Sequence, residues 1–346
     1  MSLILEAVKT ALVEGKSTVN LREASALTGS GSGIGGRVIY DDAFAALRMA
    51  NPFRMAGVRV INTTGSDEAF VAKTGNATVI QTSTTNPWGY TIKNNVGNYD
   101  TAYWQISIKS INAQVPIRMA VLDDVNNLDE SIVTDIALEF AQQEALSMML
   151  NNDLTSQSTP TPQTGGASGL RGLNFYSGNT TASFGTTGYA ETNGRHTIVE
   201  VTAAGVTLTY NDIPNLAAAL PAQYWTDPST AWMMHPTTIQ QLRKLTAGST
   251  GLPVFLEVGD DDGGSVLYIY GFPVIPNPYM EIAGAYKMPI YLAAWNQFMT
   301  IADNELMTIE QYEQTQPGFI TLYAEKRLCS TVRNPFAGVR LACPAS

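Results

Sequence analysis

Cysteine and histidine are nearly absent from this 346-residue chain, which has two of each: Cys329, Cys343, His196 and His235. An all-cysteine zinc site is thereby excluded, and a mixed four-ligand site would need all of these residues to converge. Charge is scarce too, at 14% of residues, against roughly 25% in an average soluble domain. What charge there is runs the wrong way for nucleic acid: 20 Lys+Arg face 30 Asp+Glu, a formal net charge of -10. The long-range attraction on which DNA readers and anionic-membrane binders depend is missing. No apolar run approaches the roughly 20 residues of a bilayer span, Ile290 to Trp295 and Leu216 to Leu220 being among the longest. The N-terminus has no basic segment and places Glu6 where a signal peptide needs its apolar core. These absences predict a soluble chain made in a reducing compartment, without disulfides and without a membrane partner.

Catalytic signatures are also missing. The chain has no Gly-x-Ser-x-Gly elbow, Walker-type phosphate loop or His-Glu-x-x-His pair. Gly31-x-Gly33-x-x-Gly36 satisfies the dinucleotide fingerprint as a string, but no strand precedes it and a Gly-Ser run surrounds it, which favours an arm over a cofactor loop. His235, between Met234 and Pro236, reads as an imidazole satisfied by backbone at an element boundary. Cys329 reads as a half-buried strand thiol. Asp260, Asp261 and Asp262 lack the alternating ligand spacing that wraps calcium and read as a solvated hairpin tip. Asp41-Asp42 and Asp123-Asp124 are adjacent, so their side chains diverge and cannot act together as general acid and base. The expectation is no enzyme, no cofactor and no metal.

Hydrophobic residues make up 45% of the chain, enough to bury a sizeable core. Residues 1–50 begin with an amphipathic stretch (Leu5, Val8, Leu12) and dissolve into Gly and Ser, as an arm would. From 53 to 118 the pattern is of long strands, with Trp104, Ile106 and Ile108 alternating with Gln105, Ser107 and Lys109. Residues 73–97 form the far end of a hairpin, where turn residues stand beside Trp88 and Tyr90. With so little apolar content of its own, such a loop must rest on something else. Leu128, Ile132, Ile136 and Phe140 recur every four residues after an Asn127/Glu130 capping box and predict a helix over 128–150, roughly 34 Å long. A polar Pro- and Gly-containing loop runs to about 195. Beyond it the pattern predicts a helix from about Asp212, a strand over 230–234, a helix after Pro236, strands around Val266, Val274, Tyr291, Met299 and Ile309, and two closing strands joined near Asn334-Pro335. The fold class is α+β.

Several of these segments stand in a familiar order. Leu27-Thr-Gly-Ser-Gly-Ser-Gly-Ile-Gly-Gly36 before Arg37-Val-Ile39 resembles an N-arm ending, residues 61–104 an extended loop, and Val121-Leu-Asp-Asp124 with the following helix a spine helix and its lead-in. Gly169-Leu-Arg-Gly-Leu173 is similar to a Gly-rich stretch after the spine. Ala231-Trp-Met-Met-His-Pro236 with its helix to Leu245, Gly251-Leu-Pro-Val254 and Gly271-Phe-Pro-Val-Ile275 resemble an axial-domain pattern, and Tyr323-Ala-Glu-Lys-Arg327 with 333–339 the closing strands. Collinear over nearly the whole chain, these segments resemble the major capsid protein of tailed bacteriophages.

That resemblance implies an N-terminal arm (1–50), an extended β-hairpin loop with flanking strands (51–110), a peripheral domain carrying the spine helix 128–150 (111–195), an axial α+β domain (196–317) and closing peripheral strands (318–346). It implies a structural protein whose hexamers and pentamers form an icosahedral shell around double-stranded DNA, assembled in the host cytoplasm. Expected partners are further copies of itself, a scaffolding protein, a portal and a decoration or cement protein. Trp88, Tyr90, Lys93 and Tyr99 would be loop contacts to a neighbour, and Leu128, Ile132, Ile136 and Phe140 the spine-helix core. Relatives with a cleaved scaffolding segment carry it before the arm; an arm beginning almost at Met1 implies either a separate scaffolding protein or a processed product. Some relatives form an isopeptide bond between a loop lysine and an asparagine, with a glutamate taking up the proton. Lys93 and Glu325 match two of these parts, but the acceptor position falls near Gly318, leaving Asn334 and Gln316 as substitutes. The competing readings are a surface carbohydrate-binding module using loop aromatics and an enzyme assembled from residues distant in sequence.

Overall fold

The computed structural model describes residues 49–73, 101–118, 128–150, 169–179, 197–247, 252–253, 256–259, 265–316 and 319–345. The expectations for the arm, the loop tip with Trp88, Tyr90, Lys93 and Tyr99, the Asn127 cap, His196, the aspartate pairs and triplet, and Gly318 lie outside the described residues.

In chain order the elements are α1 (Pro52–Met55), β1 (Arg59–Asn62), β2 (Asp67–Lys73), β3 (Thr101–Ser107), β4 (Lys109–Arg118), α2 (Leu128–Leu150), β5 (Ser177–Asn179), β6 (Thr197–Thr202), α3 (Asp212–Ala219), β7 (Thr230–Met234) and α4 (Pro236–Arg243). Then come β8 (Thr246–Ala247), β9 (Leu252–Pro253), β10 (Leu256–Gly259), β11 (Ser265–Ile269), β12 (Phe272–Pro276), β13 (Ile290–Ala294), α5 (Trp295–Phe298), β14 (Met299–Gln316), β15 (Phe319–Val332) and β16 (Gly338–Ala342).

One unit is an eight-stranded mixed sheet ordered β10-β11-β12-β7-β13-β16-β6-β5. Its central strands, Thr-Ala-Trp-Met-Met and Ile-Tyr-Leu-Ala-Ala, are buried at every position, the continuous apolar reading expected of strands covered on both faces. Trp232 and Trp295 are fully buried in its core, and each indole N–H donates to a main-chain carbonyl, of Ile269 at 2.9 Å and of Ala231 at 3.0 Å. Gly338 opens β16 where the ring of Phe298 lies so close that an added Cβ would stand 2.6 Å from it.

The second unit is a four-stranded sheet ordered β1-β14-β15-β4. Alternate residues of its long strands, among them Ile111, Ala113, Ile309, Leu322 and Ala324, pack against the N-terminal half of α2. The C-terminal half of α2 enters the main core through Met148 and Met149, so one helix stabilises both units. A separate antiparallel pair, β2 with β3 from Asp67↔Ser107 to Lys73↔Thr101, forms the base of the hairpin.

Met299 and Ile309, read from sequence as two strands, lie on the single 18-residue β14. Register shifts between Asp303/Glu305, Glu305/Thr308 and Tyr312/Gln316 break its alternation, so the period-two signal changes phase within one strand. Two strands also pair away from the sequence-based boundaries. β14, assigned with 196–317 to the axial unit, pairs in the four-stranded sheet, and β16, assigned with 318–346 to the closing peripheral strands, lies in the eight-stranded sheet between β13 and β6. The crossings run through α5 and the short 3-10 turn at Pro335–Ala337.

Candidate assembly surfaces

A buried charge network ties α1 and α2 to the four-stranded sheet. Glu144, on α2, is 1% exposed. Its Oε1 accepts from Arg54 Nε at 2.8 Å, and its Oε2 lies 3.0 Å from Lys326 Nζ. Arg54 also donates to both oxygens of Asp303, Nη1 to Oδ2 at 2.9 Å and Nη2 to Oδ1 at 2.8 Å. Two cations and two carboxylates from α1, α2, β14 and β15 therefore cancel inside the protein. Burial works against the Arg54 charge, but the bonds to Asp303 and Glu144 outweigh it and hold its pKa above the usual arginine range. Sequence reading passed over this network, although Glu144 continues the i+4 stripe of Ile136 and Phe140, and a carboxylate on a buried stripe announces a cationic partner.

The spine-helix residues take different places. Ile136 and Phe140 are buried, at 3% and 5%, Ile132 packs half-buried against them, and the Leu128 side chain lies outside the described residues. A groove of about 290 Å³ opens beside them, between Ile111, Asn112 and Ala113 of β4 and Glu139, Phe140, Gln142 and Gln143 of α2.

The hairpin base has two unlike faces. Phe70 and Trp104 stack with ring centroids 5.8 Å apart and, with Ile106, cover Ala302 and Cys329 of the four-stranded sheet. On the other face Val71 and Tyr103 are cross-strand partners, 63% and 72% exposed. An exposed apolar pair of this kind on β2 and β3 is a candidate contact surface. The far face of the four-stranded sheet is aromatic and acidic. Tyr312 and Tyr323 meet edge to face at 6.4 Å, the Tyr312 hydroxyl donating to Glu310 at 2.6 Å and that of Tyr323 to Glu325 at 3.0 Å. Those hydrogen bonds raise both phenol pKa values.

Glu325, the residue matching a crosslinking glutamate, has its other oxygen 3.2 Å from Arg327 Nε. Asn334, a substitute acceptor, is committed elsewhere: its Oδ1 accepts from Phe336 N–H at 3.2 Å and its Nδ2 donates to the Tyr224 hydroxyl at 2.8 Å.

His235 and Cys329 have structural roles. His235 caps α4, Nδ1 accepting from Thr237 N–H at 3.0 Å, and burial lowers its pKa, so the imidazole is neutral at pH 7. Cys329 is fully buried rather than half-buried, because the hairpin base covers β15, and burial pushes its thiol up to about 12, leaving no thiolate.

The described surface leaves apolar and aromatic side chains exposed, among them Val71, Tyr103 and Tyr312. A model of the phage capsid family matches residues 44–341, and the chain belongs to that family. It is a major capsid protein, a structural component of the virion shell and not an enzyme. Similar solved structures include the capsid of an empty GTA particle, 15% identical with TM-score 0.67, covering 93% of this chain and 97% of that one. The chain also resembles a structure from Mycobacterium phage Bobi at 12% identity and TM-score 0.55, over 95% and 100% of the two chains. The SrpI encapsulin complex from Synechococcus elongatus PCC 7942 is similar at 12% identity and TM-score 0.57, over 88% and 92%. No curated protein matches the chain in sequence. The family assignment leaves the carbohydrate-binding module without support.

Proposed function

We propose that copies of this chain associate as hexamers and pentamers into a closed icosahedral shell around double-stranded DNA, held by non-covalent contacts. The observation that carries this reading is the family match over residues 44–341, joined to exposed apolar pairs such as Val71/Tyr103 that the chain leaves uncovered. The four-stranded sheet with α2 serves as the peripheral domain and the eight-stranded sheet as the axial domain. The segment 74–100, with Trp88, Tyr90, Lys93 and Tyr99, contacts a neighbouring subunit. A net charge of -10 keeps the wall from adhering to packaged DNA, which is enclosed without sequence reading. A scaffolding protein, a portal and a decoration protein are the further partners, and assembly takes place in the host cytoplasm before the shell becomes part of the virion.

Electron microscopy and sedimentation of the purified protein test the reading, with closed shells or capsomers expected. A monomer at every concentration and salt, even with a scaffolding protein co-expressed, is the contrary result. Covalent locking is not expected, because the Asn334 amide is occupied and Glu325 is engaged by Tyr323 and Arg327. Boiled, denatured particles should run as one 37.2 kDa band. A ladder that collapses in Lys93→Ala would show that another acceptor is used.

A further inference from the structure

Tyr270 and Gly271 form the two-residue turn of the β11–β12 hairpin, closed by the pair Ile269↔Phe272. Both have positive φ, 50° and 84°. Such a loop favours Asn-Gly, since a bulky side chain is disfavoured in left-handed backbone. Tyr270 accepts this strain and nevertheless stands 47% exposed, and among the described residues its hydroxyl meets the Tyr210 hydroxyl at 3.4 Å. Two residues on, Phe272 meets Trp225 edge to face at 6.3 Å, and Trp225 is 48% exposed. Two aromatic contacts, Tyr210 with Tyr270 and Phe272 with Trp225, thus lie at and beside this turn, and none of the four side chains carries a charge. Asp227 nearby has its carboxylate occupied by Ser229 and Gln297. Strain held at an exposed aromatic, with one long hydroxyl contact among the described residues, points to a site that functions in contact with something else.

We propose that this aromatic surface is a contact between two copies of the chain, with Tyr270 and Trp225 as its anchors. The partner follows from charge. Copies with a net charge of -10 repel one another and approach best at uncharged surfaces, whereas DNA needs Lys or Arg, which these four residues do not supply. Aromatic anchors are the residues that carry most of the energy of such contacts. The inference rests on the shell-forming reading and adds the residues that make one of its contacts.

Tyr270→Asn separates strain from contact. Asparagine suits the turn, so dilute, unassembled protein should melt at an unchanged or slightly higher temperature, up by about 2 °C. Self-association followed by sedimentation velocity should weaken about tenfold or more. Trp225→Ser, verified as folded by circular dichroism, should weaken it similarly. Either of two results would overturn the proposal: variants that associate like wild type, or a Tyr270→Asn that melts lower, showing that the tyrosine supports its own chain. Wild-type protein that associates through these residues but never closes a shell would instead refute the shell-forming reading.

Discussion

Replacing Glu144 with alanine is expected to lower the free energy of unfolding by about 3 kcal/mol or more, from the usual 3–5 kcal/mol for breaking a buried ion pair. The carboxylate neutralises two cations at once, Arg54 and Lys326, on elements more than 250 residues apart in sequence. Arg54 would keep its paired bonds to Asp303, but Lys326, 17% exposed, would lose the one ion pair it makes among the described residues. The lower end of the range applies because Arg54 retains 29% of its side-chain exposure and regains some hydration. Glu144→Gln preserves shape and one acceptor oxygen and should cost less. Lys326→Met combined with Glu144→Gln should cost less than the two separate losses added together, since the second replacement removes a charge already stranded. Denaturant unfolding of the wild type and the four variants, Lys326→Met alone included, measures this directly. A loss below 1 kcal/mol for Glu144→Ala would mean that the network contributes nothing to holding α2 on the sheet.

What the sequence reveals and conceals follows from the range of the forces involved. The spine helix was legible to its end residues, because i+4 apolar spacing and helix-end signals are local. β7 and α4 were legible for the same reason: a continuous apolar run, then His235-Pro236 at a boundary where the proline favours the first helical turn and the imidazole accepts from Thr237 N–H. β14 was misread where bulges reset its alternation, since a one-residue slip moves every side chain to the other face. Nothing in Gly338–Ala342 announces that its neighbours will be β13, some fifty residues earlier, and β6, more than a hundred; strand pairing is a non-local choice made by the whole core. Glu144 was readable as an anomaly but its partners were not, because Arg54, Asp303 and Lys326 stand on α1, β14 and β15, far apart in sequence from α2. The aromatic surface around Tyr270 leaves a fainter trace, a tyrosine before glycine where the turn prefers asparagine.

Folding and assembly should separate within a single turn of α2. Ile136 is 3% exposed against Phe140, Ala324 and the sheet strands, while Val133, three residues earlier, is 39% exposed. Ile136→Asp removes a packed side chain and puts a carboxylate against the apolar side chains of Phe140, Ala324 and the sheet strands. Lost packing and an unpaired buried charge together should cost about 4 kcal/mol or more, enough to abolish cooperative folding of a marginally stable domain. Val133→Asp places the same charge in water and should change stability by less than about 1 kcal/mol. If the exposed side of α2 meets another subunit in the shell, that second variant should melt like wild type yet fail to form particles. Thermal melts by circular dichroism, read beside micrographs of the same preparations, distinguish the cases. A cooperatively melting Ile136→Asp would contradict the packing of α2 on the four-stranded sheet, whereas a Val133→Asp that melts and assembles normally would show that this side of the helix stays free in the particle.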